Sequence, residues 1–307
     1  MNTTPSSVPH AAPTGRSKRA LVLGGGGSTG NAWLIGVLAG LADAGLDVTG
    51  ADRVIGTSAG STAAAQIAGA RAAELYAAVL DAPLPQRTRP AGTAGGPVPD
   101  YLERTGRIIA ASVDAPDMRR RMGAAALDLA GAYDASERWR ATVAVRLPTE
   151  EWPEHELLIA AVDAATGEPA VFDRTSGIDL VDAVAASCSS GSAYRIGDRS
   201  YIDGGYRRNE NADLAAGCGC VLVLSPFGGR TRTPLEWGMQ LAAQVEELRA
   251  GGSRVEVIFP DSGAGHMFGA NAMDVSLRPA AAQSGYNEGK ARAAMLAEFW
   301  RQWITRI

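Results

Sequence analysis

The stretch VIGTSAGSTAAAQ, Val54 to Gln66, sets a serine between two glycines, after a short apolar run and before an alanine-rich one. It reads as strand, tight turn, helix. Gly56-Thr57-Ser58-Ala59-Gly60 fits G-x-S-x-G, in which the serine stands on a sharp strand-to-helix elbow with its hydroxyl projecting outward. Gly56 and Gly60 are glycines because side chains there would collide with the tight backbone. The helix that opens at Ala59 adds free N–H donors and a partial positive charge, which suit a developing oxyanion. A surface turn ending in a helix cap has the same local pattern, so the rest of the chain has to separate the two readings.

Upstream, RALVLGGGGSTG gives a short strand, Ala20 to Leu23, that enters a glycine loop. The following NAWLIGVLAGLADAG places Leu34, Leu38 and Leu41 on one helical face, and Gly45 is a helix stop. DRVI is the next strand. It leads into the elbow and a helix predicted from Ala59 to about Leu80. Strand, helix, strand, helix is the mark of a parallel sheet covered by helices.

Downstream, PLPQRTRPAGTAGGPVP, Pro83 to Pro99, is too rich in Pro and Gly for a regular element and predicts a mobile loop near the site. Tyr101 to about Leu129 reads as helix, with Arg119-Arg120-Arg121 on a solvated face. ATVAVRL (141–147) and LLIAAVDA (157–164) read as strands, and DLVDAVAAS (179–187) as a short helix. AYRIGDRSYIDGGY (193–206) reads as a hairpin turning at Gly197-Asp198. CGCVLVLSP is a buried strand, Pro234 to Ala250 a helix, RVEVIFP the last strand, and the remainder mostly helical.

Composition narrows the function. Of 307 residues, 29 are Lys or Arg and 33 Asp or Glu, giving a formal net charge of −4. That balance argues against nucleic acid as a partner. Three cysteines are not a disulfide framework, and Cys218-Gly-Cys220 lacks metal or redox spacing. The expected setting is reducing and cytoplasmic, with no metal and no cofactor. Residues 1–18 read as a disordered tail without a secretory pattern, and 19–307 as one domain. No stretch is apolar and long enough to span a bilayer.

Three glycine-centred signals carry the chemistry. Gly25-Gly26-Gly27-Ser28-Thr29-Gly30 matches G-x-G-x-x-G after a strand, so a dinucleotide loop is one reading, with Asp47 or Asp52 near the place of a ribose-binding acid. The other is a loop that offers backbone N–H groups to an oxyanion. Its closeness to Ser58, on the next parallel strand, favours the second. The last signal is Asp203-Gly204-Gly205, at the end of an apolar strand. Ser58 needs a base. His10 lies in the tail and His155 in a polar stretch, whereas Ser58, Asp203 and His266 have the chain order of an α/β-hydrolase triad. Only one strand precedes the elbow, however, which favours Asp203 as the base acting directly.

GGGGSTG, GTSAG and DGG, in that order, resemble the patatin-like phospholipase family, over most of the chain from about Ala20 to beyond Pro226. The resemblance implies an α/β fold of three layers, α/β/α, with a mostly parallel central sheet covered by helices on both faces. It also implies a Ser–Asp dyad that hydrolyses fatty acyl esters of lipids, with Ser58 as nucleophile and Asp203 as proton acceptor. The amides of Gly25, Gly26, Gly27 and Ala59 would form the oxyanion hole, and Gly30, Gly56, Gly60, Gly204 and Gly205 would support the motifs. The expected partner is a lipid or acyl-ester substrate, met by transient contact with a membrane surface. An acyltransferase built on the same dyad would share every motif. The chain departs from the family pattern at Gly191 and Asn211, where prolines are common, and at Thr29, where an arginine or lysine is frequent. A neutral Thr29 predicts little preference for anionic lipids.

Overall fold

The computed structural model of the protein describes residues 18–83, 97–132 and 134–301. The expected tail save Lys18, and most of the expected loop, 84–96, lie outside them. Eight strands form one sheet: β1 (Arg19–Leu23), β2 (Arg53–Thr57), β3 (Glu156–Asp163), β4 (Pro169–Phe172), β5 (Tyr194–Ile196), β6 (Arg199–Asp203), β7 (Cys220–Leu224) and β8 (Arg254–Ile258). Their order is β5-β6-β3-β2-β1-β7-β8, with β4 also on β3. The pairs among β1, β2, β3, β7 and β8 are parallel, and those of β4, β5 and β6 antiparallel. The expected mostly parallel sheet is therefore present.

The helices are α1 (Gly27–Asp43), α2 (Ala59–Gly69), α3 (Ala72–Asp81), α4 (Pro97–Ala111), α5 (Ala115–Ala132), α6 (Ser136–Ala144), α7 (Leu180–Ser187), α8 (Leu241–Ala250) and α9 (Arg278–Arg301). Strand residues alternate between two buried faces. Leu21, Leu23, Val54 and Leu222 pack with α1, α2, α7 and α9. Ala20, Val22, Ile55 and Val221 pack with α8 and the turn at Ala212–Ala215. Both faces of the sheet are covered, which is why the parallel strands are apolar at nearly every position.

Several expectations need correction. The helix predicted from Ala59 to Leu80 breaks at Ala70-Arg71, where Arg71 is extended and the Glu74 carboxylate accepts its N–H. The predicted helix at 101–129 breaks at Ser112–Asp114, and it begins earlier, at Pro97, inside the stretch expected to be loop. The break is capped reciprocally: Asp114 accepts the Asp117 N–H, and Asp117 accepts the Val113 N–H. ATVAVRL is no strand: most of it lies in α6 and the turn after it. The helix predicted from Pro234 is interrupted by Gly238, whose φ of 66° is left-handed, and α8 starts only at Leu241.

Candidate active site

The register brings Ser58 and Asp203 to one level of the sheet. Thr57 pairs with Ala160, so Ser58 comes level with Ala161, and Asp203 pairs with Ala161 from the opposite side of β3. The loops after β1 and β2 leave the same edge, because these strands are parallel neighbours.

Ser58 is the elbow residue, with φ 53° and ψ −117°. A left-handed φ on a non-glycine residue is strained and persists only when its surroundings over-determine it. Here they do. The Ser58 N–H donates to Ser187 Oγ at 2.9 Å. The Ser58 carbonyl accepts from Ser61 Oγ at 2.7 Å, the Ser61 and Thr62 amides at 2.9 and 3.2 Å, and Cys188 Sγ at 3.2 Å. Burial pushes the Cys188 thiol up to about 11, so it stays a donor. The tightness of the turn also fixes Gly60: a Cβ there would stand 1.8 Å from the Leu23 carbonyl oxygen.

Asp203 is 7% exposed. It accepts the Gly205 N–H at 2.8 Å and lines one cleft with Ser58. Burial outweighs the Gly205 bond and the pull of the Ser58 hydroxyl and pushes the carboxyl up to about 6. Gly204 packs its backbone against β3, where a Cβ would stand 2.2 Å from the Ala160 carbonyl oxygen.

The glycine loop rises beside the serine. The Gly25 N–H is already given to the Asn209 carbonyl at 3.0 Å, and Asn209 Nδ2 donates back to the Gly25 carbonyl. Gly25 thus anchors the loop, contrary to the expectation that its amide is an oxyanion donor. The Gly26, Gly27 and Ala59 amides have no acceptor among the described residues, and all three residues line the cleft with Ser58 and Asp203. Asn209 is held in turn by Glu210, a buried carboxyl raised by desolvation and bonded by Asn209 and Ser225.

Residues that the sequence did not single out as functional prove to be braces. Ser187 and Cys188 hold the elbow from α7. Asn211, noted only for replacing a proline, is fully buried at φ 52°. Its Nδ2 donates to Thr57 Oγ1 at 2.9 Å and the Gly204 carbonyl at 3.1 Å, tying the serine strand to the aspartate turn. A left-handed, multiply bonded position suits asparagine; its signal in the sequence was only its spacing from DGG.

Other candidates lie elsewhere. His266 is exposed, its Nδ1 3.0 Å from the Gly263 carbonyl, and does not line the cleft. His155 precedes β3 at the sheet's far edge. Asp52 accepts the Arg19 N–H at the start of β1, and Asp47 caps its own turn, so neither faces the glycine loop. Thr29 is fully buried and donates its hydroxyl to the Met267 carbonyl, so it does not meet substrate.

The cleft over Ser58 has a volume of about 1270 Å³, walled by apolar side chains such as Ile109, Met118, Met122 and Phe268. A serine on a strained elbow above such a cleft, at the edge of a mostly parallel sheet, is the arrangement that acyl-ester hydrolysis by a serine requires. The chain belongs to the patatin-like phospholipase family, whose model matches residues 21–216, and is a lipid ester hydrolase. A comparison with curated protein sequences returns no significant match. Among solved structures it is similar to VipD from Legionella pneumophila, with 13% identity and a TM-score of 0.43 over 92% of this chain and 67% of that one. The type III effector protein ExoU shows 15% identity and a TM-score of 0.36 over 91% of this chain, which spans 54% of ExoU. Among the described residues no helix is long and apolar enough to cross a membrane.

Proposed function

We propose that this protein cleaves fatty acyl esters of lipids with a Ser58–Asp203 dyad, through an acyl-enzyme. The observation that carries the reading is a serine on a strained elbow that shares its cleft and its level of the sheet with a buried carboxylate, Asp203. Ionised Asp203 accepts the hydroxyl proton as Ser58 Oγ attacks the ester carbonyl carbon. The amides of Gly26, Gly27 and Ala59 receive the oxyanion. The tetrahedral adduct collapses, and the departing alkoxide takes the proton from Asp203. Water then attacks the acyl-serine while Asp203 takes its proton, and the fatty acid leaves as that proton returns to Ser58. We place the reaction in the cytoplasm, on the ground of three unpaired thiols, Cys188, Cys218 and Cys220. We take residues 19–307 as one domain because one sheet draws its strands from Arg19 to Ile258 and α9 packs against α1.

The test is a panel of lipid esters of graded chain length, with wild type and Ser58→Ala, and with alcohol acceptors added in parallel. The expected result is fatty-acid release that falls by about 10³-fold or more in Ser58→Ala. Turnover retained by the pure variant would refute the nucleophile. Transfer of the acyl group to the acceptor in preference to water would make the protein an acyltransferase.

A further inference from the structure

The cleft carries charge that the dyad does not use. Among the described residues its lining holds one carboxylate, Asp203, and four guanidinium groups, of Arg146, Arg230, Arg232 and Arg278. Two of these brace loops. Arg230 Nε donates to the Phe227 carbonyl, and Arg232 fastens α4 by bonds to Thr105 Oγ1 and the Leu102 carbonyl. The other two sit together on the wall beside the glycine loop.

Arg278, at the head of α9, donates to the Ser28 carbonyl at 2.8 Å, to Ser28 Oγ at 3.2 Å and to Asn31 Oδ1 at 3.2 Å. Asn31 Nδ2 donates to Gln66 Oε1 at 3.0 Å, and Gln66 Nε2 to the Arg146 carbonyl at 3.1 Å. A continuous polar strip, Arg278–Asn31–Gln66–Arg146, therefore runs across α9, α1, α2 and the turn after α6, and every member lines the cleft. All its acceptors are neutral. The Arg146 guanidinium stands 5.3 Å from the Trp139 ring centroid, and neither arginine has a carboxylate within salt-bridge distance among the described residues. Other arginines half-buried like Arg278 find acids: Arg53 meets Glu156, Arg207 meets Asp213, and Arg208 meets Glu247. Burial, and then the Arg146 charge, lower the Arg278 pKa, with no acid acting the other way.

Arg278 is half-buried and Arg146 exposed, so a guanidinium without a counter-charge costs free energy at Arg278, which an anion held between the two would return. Guanidinium forks match phosphate oxygens with paired hydrogen bonds. Ser28 follows Gly27 directly, so this wall begins one residue from the amides assigned to the oxyanion. We infer that Arg278 and Arg146 form an anion subsite that takes the phosphodiester of a phospholipid headgroup and so sets substrate preference; the inference rests on the hydrolytic reading above. It replaces the expectation drawn from Thr29, because the cation comes from α9 and not from the glycine motif.

The test compares kcat/KM on short-chain phosphatidylglycerol and on diacylglycerol of the same acyl length, in nonionic micelles at low and high salt. Wild type is expected to prefer the phospholipid by roughly ten-fold, through KM, with the preference shrinking as salt rises. Arg146→Gln should cut the ratio by about three-fold and Arg278→Gln should abolish most of it, while Arg278→Lys, a point charge without the fork, should fall between. An equal loss on both lipids, or no wild-type preference, would overturn the subsite. A second arm needs no turnover: binding of monomeric dihexanoyl phosphatidylglycerol and of inorganic phosphate to folded Ser58→Ala, with and without Arg278→Gln. Lipid binding that exceeds phosphate binding and depends on Arg278 supports the headgroup assignment. Phosphate bound as tightly as the lipid would assign the wall to a free anion, and binding of neither would overturn it. If wild type hydrolyses no lipid while this Arg278-dependent binding persists, the hydrolytic reading fails and the subsite stands.

Discussion

At the residue scale the site sets stability against chemistry at two positions. Ser58 pays for its hydroxyl's exposure with a backbone conformation natural to glycine, at a cost of about 1–3 kcal/mol. Ser58→Gly should therefore be more stable than Ser58→Ala by about 1 kcal/mol, although both lack the hydroxyl. Denaturant unfolding of the pair checks this, and equal stabilities would count against strain at the elbow. Asp203 is the second position. Its carboxyl is raised to about 6, so activity should rise with pH through that value as the base ionises. The folded value lies above the unfolded value of 3.8, so this group's stabilising contribution is full below 3.8 and is lost as pH rises through about 6. At neutral pH the buried charge costs on the order of 3 kcal/mol. Asp203→Asn should thus raise Tm by a few degrees at pH 8 while removing activity. A lowered Tm at that pH would show that the carboxylate is not a burden to the fold.

At the scale of elements, α1 and α9 lie against each other through glycines. A Cβ on Gly36 or Gly40 would stand 2.0–2.1 Å from a carbonyl oxygen of α9, and one on Gly285 or Gly289 would stand 2.2–2.3 Å from a carbonyl oxygen of α1. This contact holds the helix that opens in the glycine loop and sets Arg278 beside Ser28. Gly285→Ala should cost about 3 kcal/mol or more by forcing the helices apart, whereas Gly50→Ala, with open space around it, should change stability by less than about 0.5 kcal/mol. Comparable losses in both, read by urea unfolding, would refute the close-packing account. Elements were legible where their signals are local. The elbow, the hairpin at Gly197 and the strands beside the glycine motifs are each specified within a dozen residues. The breaks at Arg71 and Asp114 also carried local signals, a Glu or Asp three residues into the next helix, hidden by continuous apolar periodicity. ATVAVRL went the other way because packing overrides β propensity. Val143 is buried in the core while Val145 is 85% exposed, and Trp139 of the same helix donates its Nε1–H to the Ala185 carbonyl of α7.

At the scale of the whole molecule, the sheet gathers what the sequence scatters. Ser58 and Asp203 are 145 positions apart in the numbering, yet both stand level with Ala161 because one strand pairs parallel and the other antiparallel to β3. Their motifs could be read in the chain, but their braces could not. Ser187, Asn209 and Asn211 act through hydrogen bonds to residues distant in the chain, which leave no periodicity or spacing to find. Arg278 was hidden for the same reason: it reaches the cleft only because α9 packs on α1. The nucleophile proposed for Ser58 would be marked by covalent labelling. The protein would be treated with an acyl-mimetic fluorophosphonate and the modified peptide identified by mass. We expect one phosphonyl group on Ser58 in the wild type, none in Ser58→Ala, and much slower labelling in Asp203→Asn. Undiminished labelling of folded Ser58→Ala, or a wild-type adduct on another residue, would rule out Ser58 as the nucleophile.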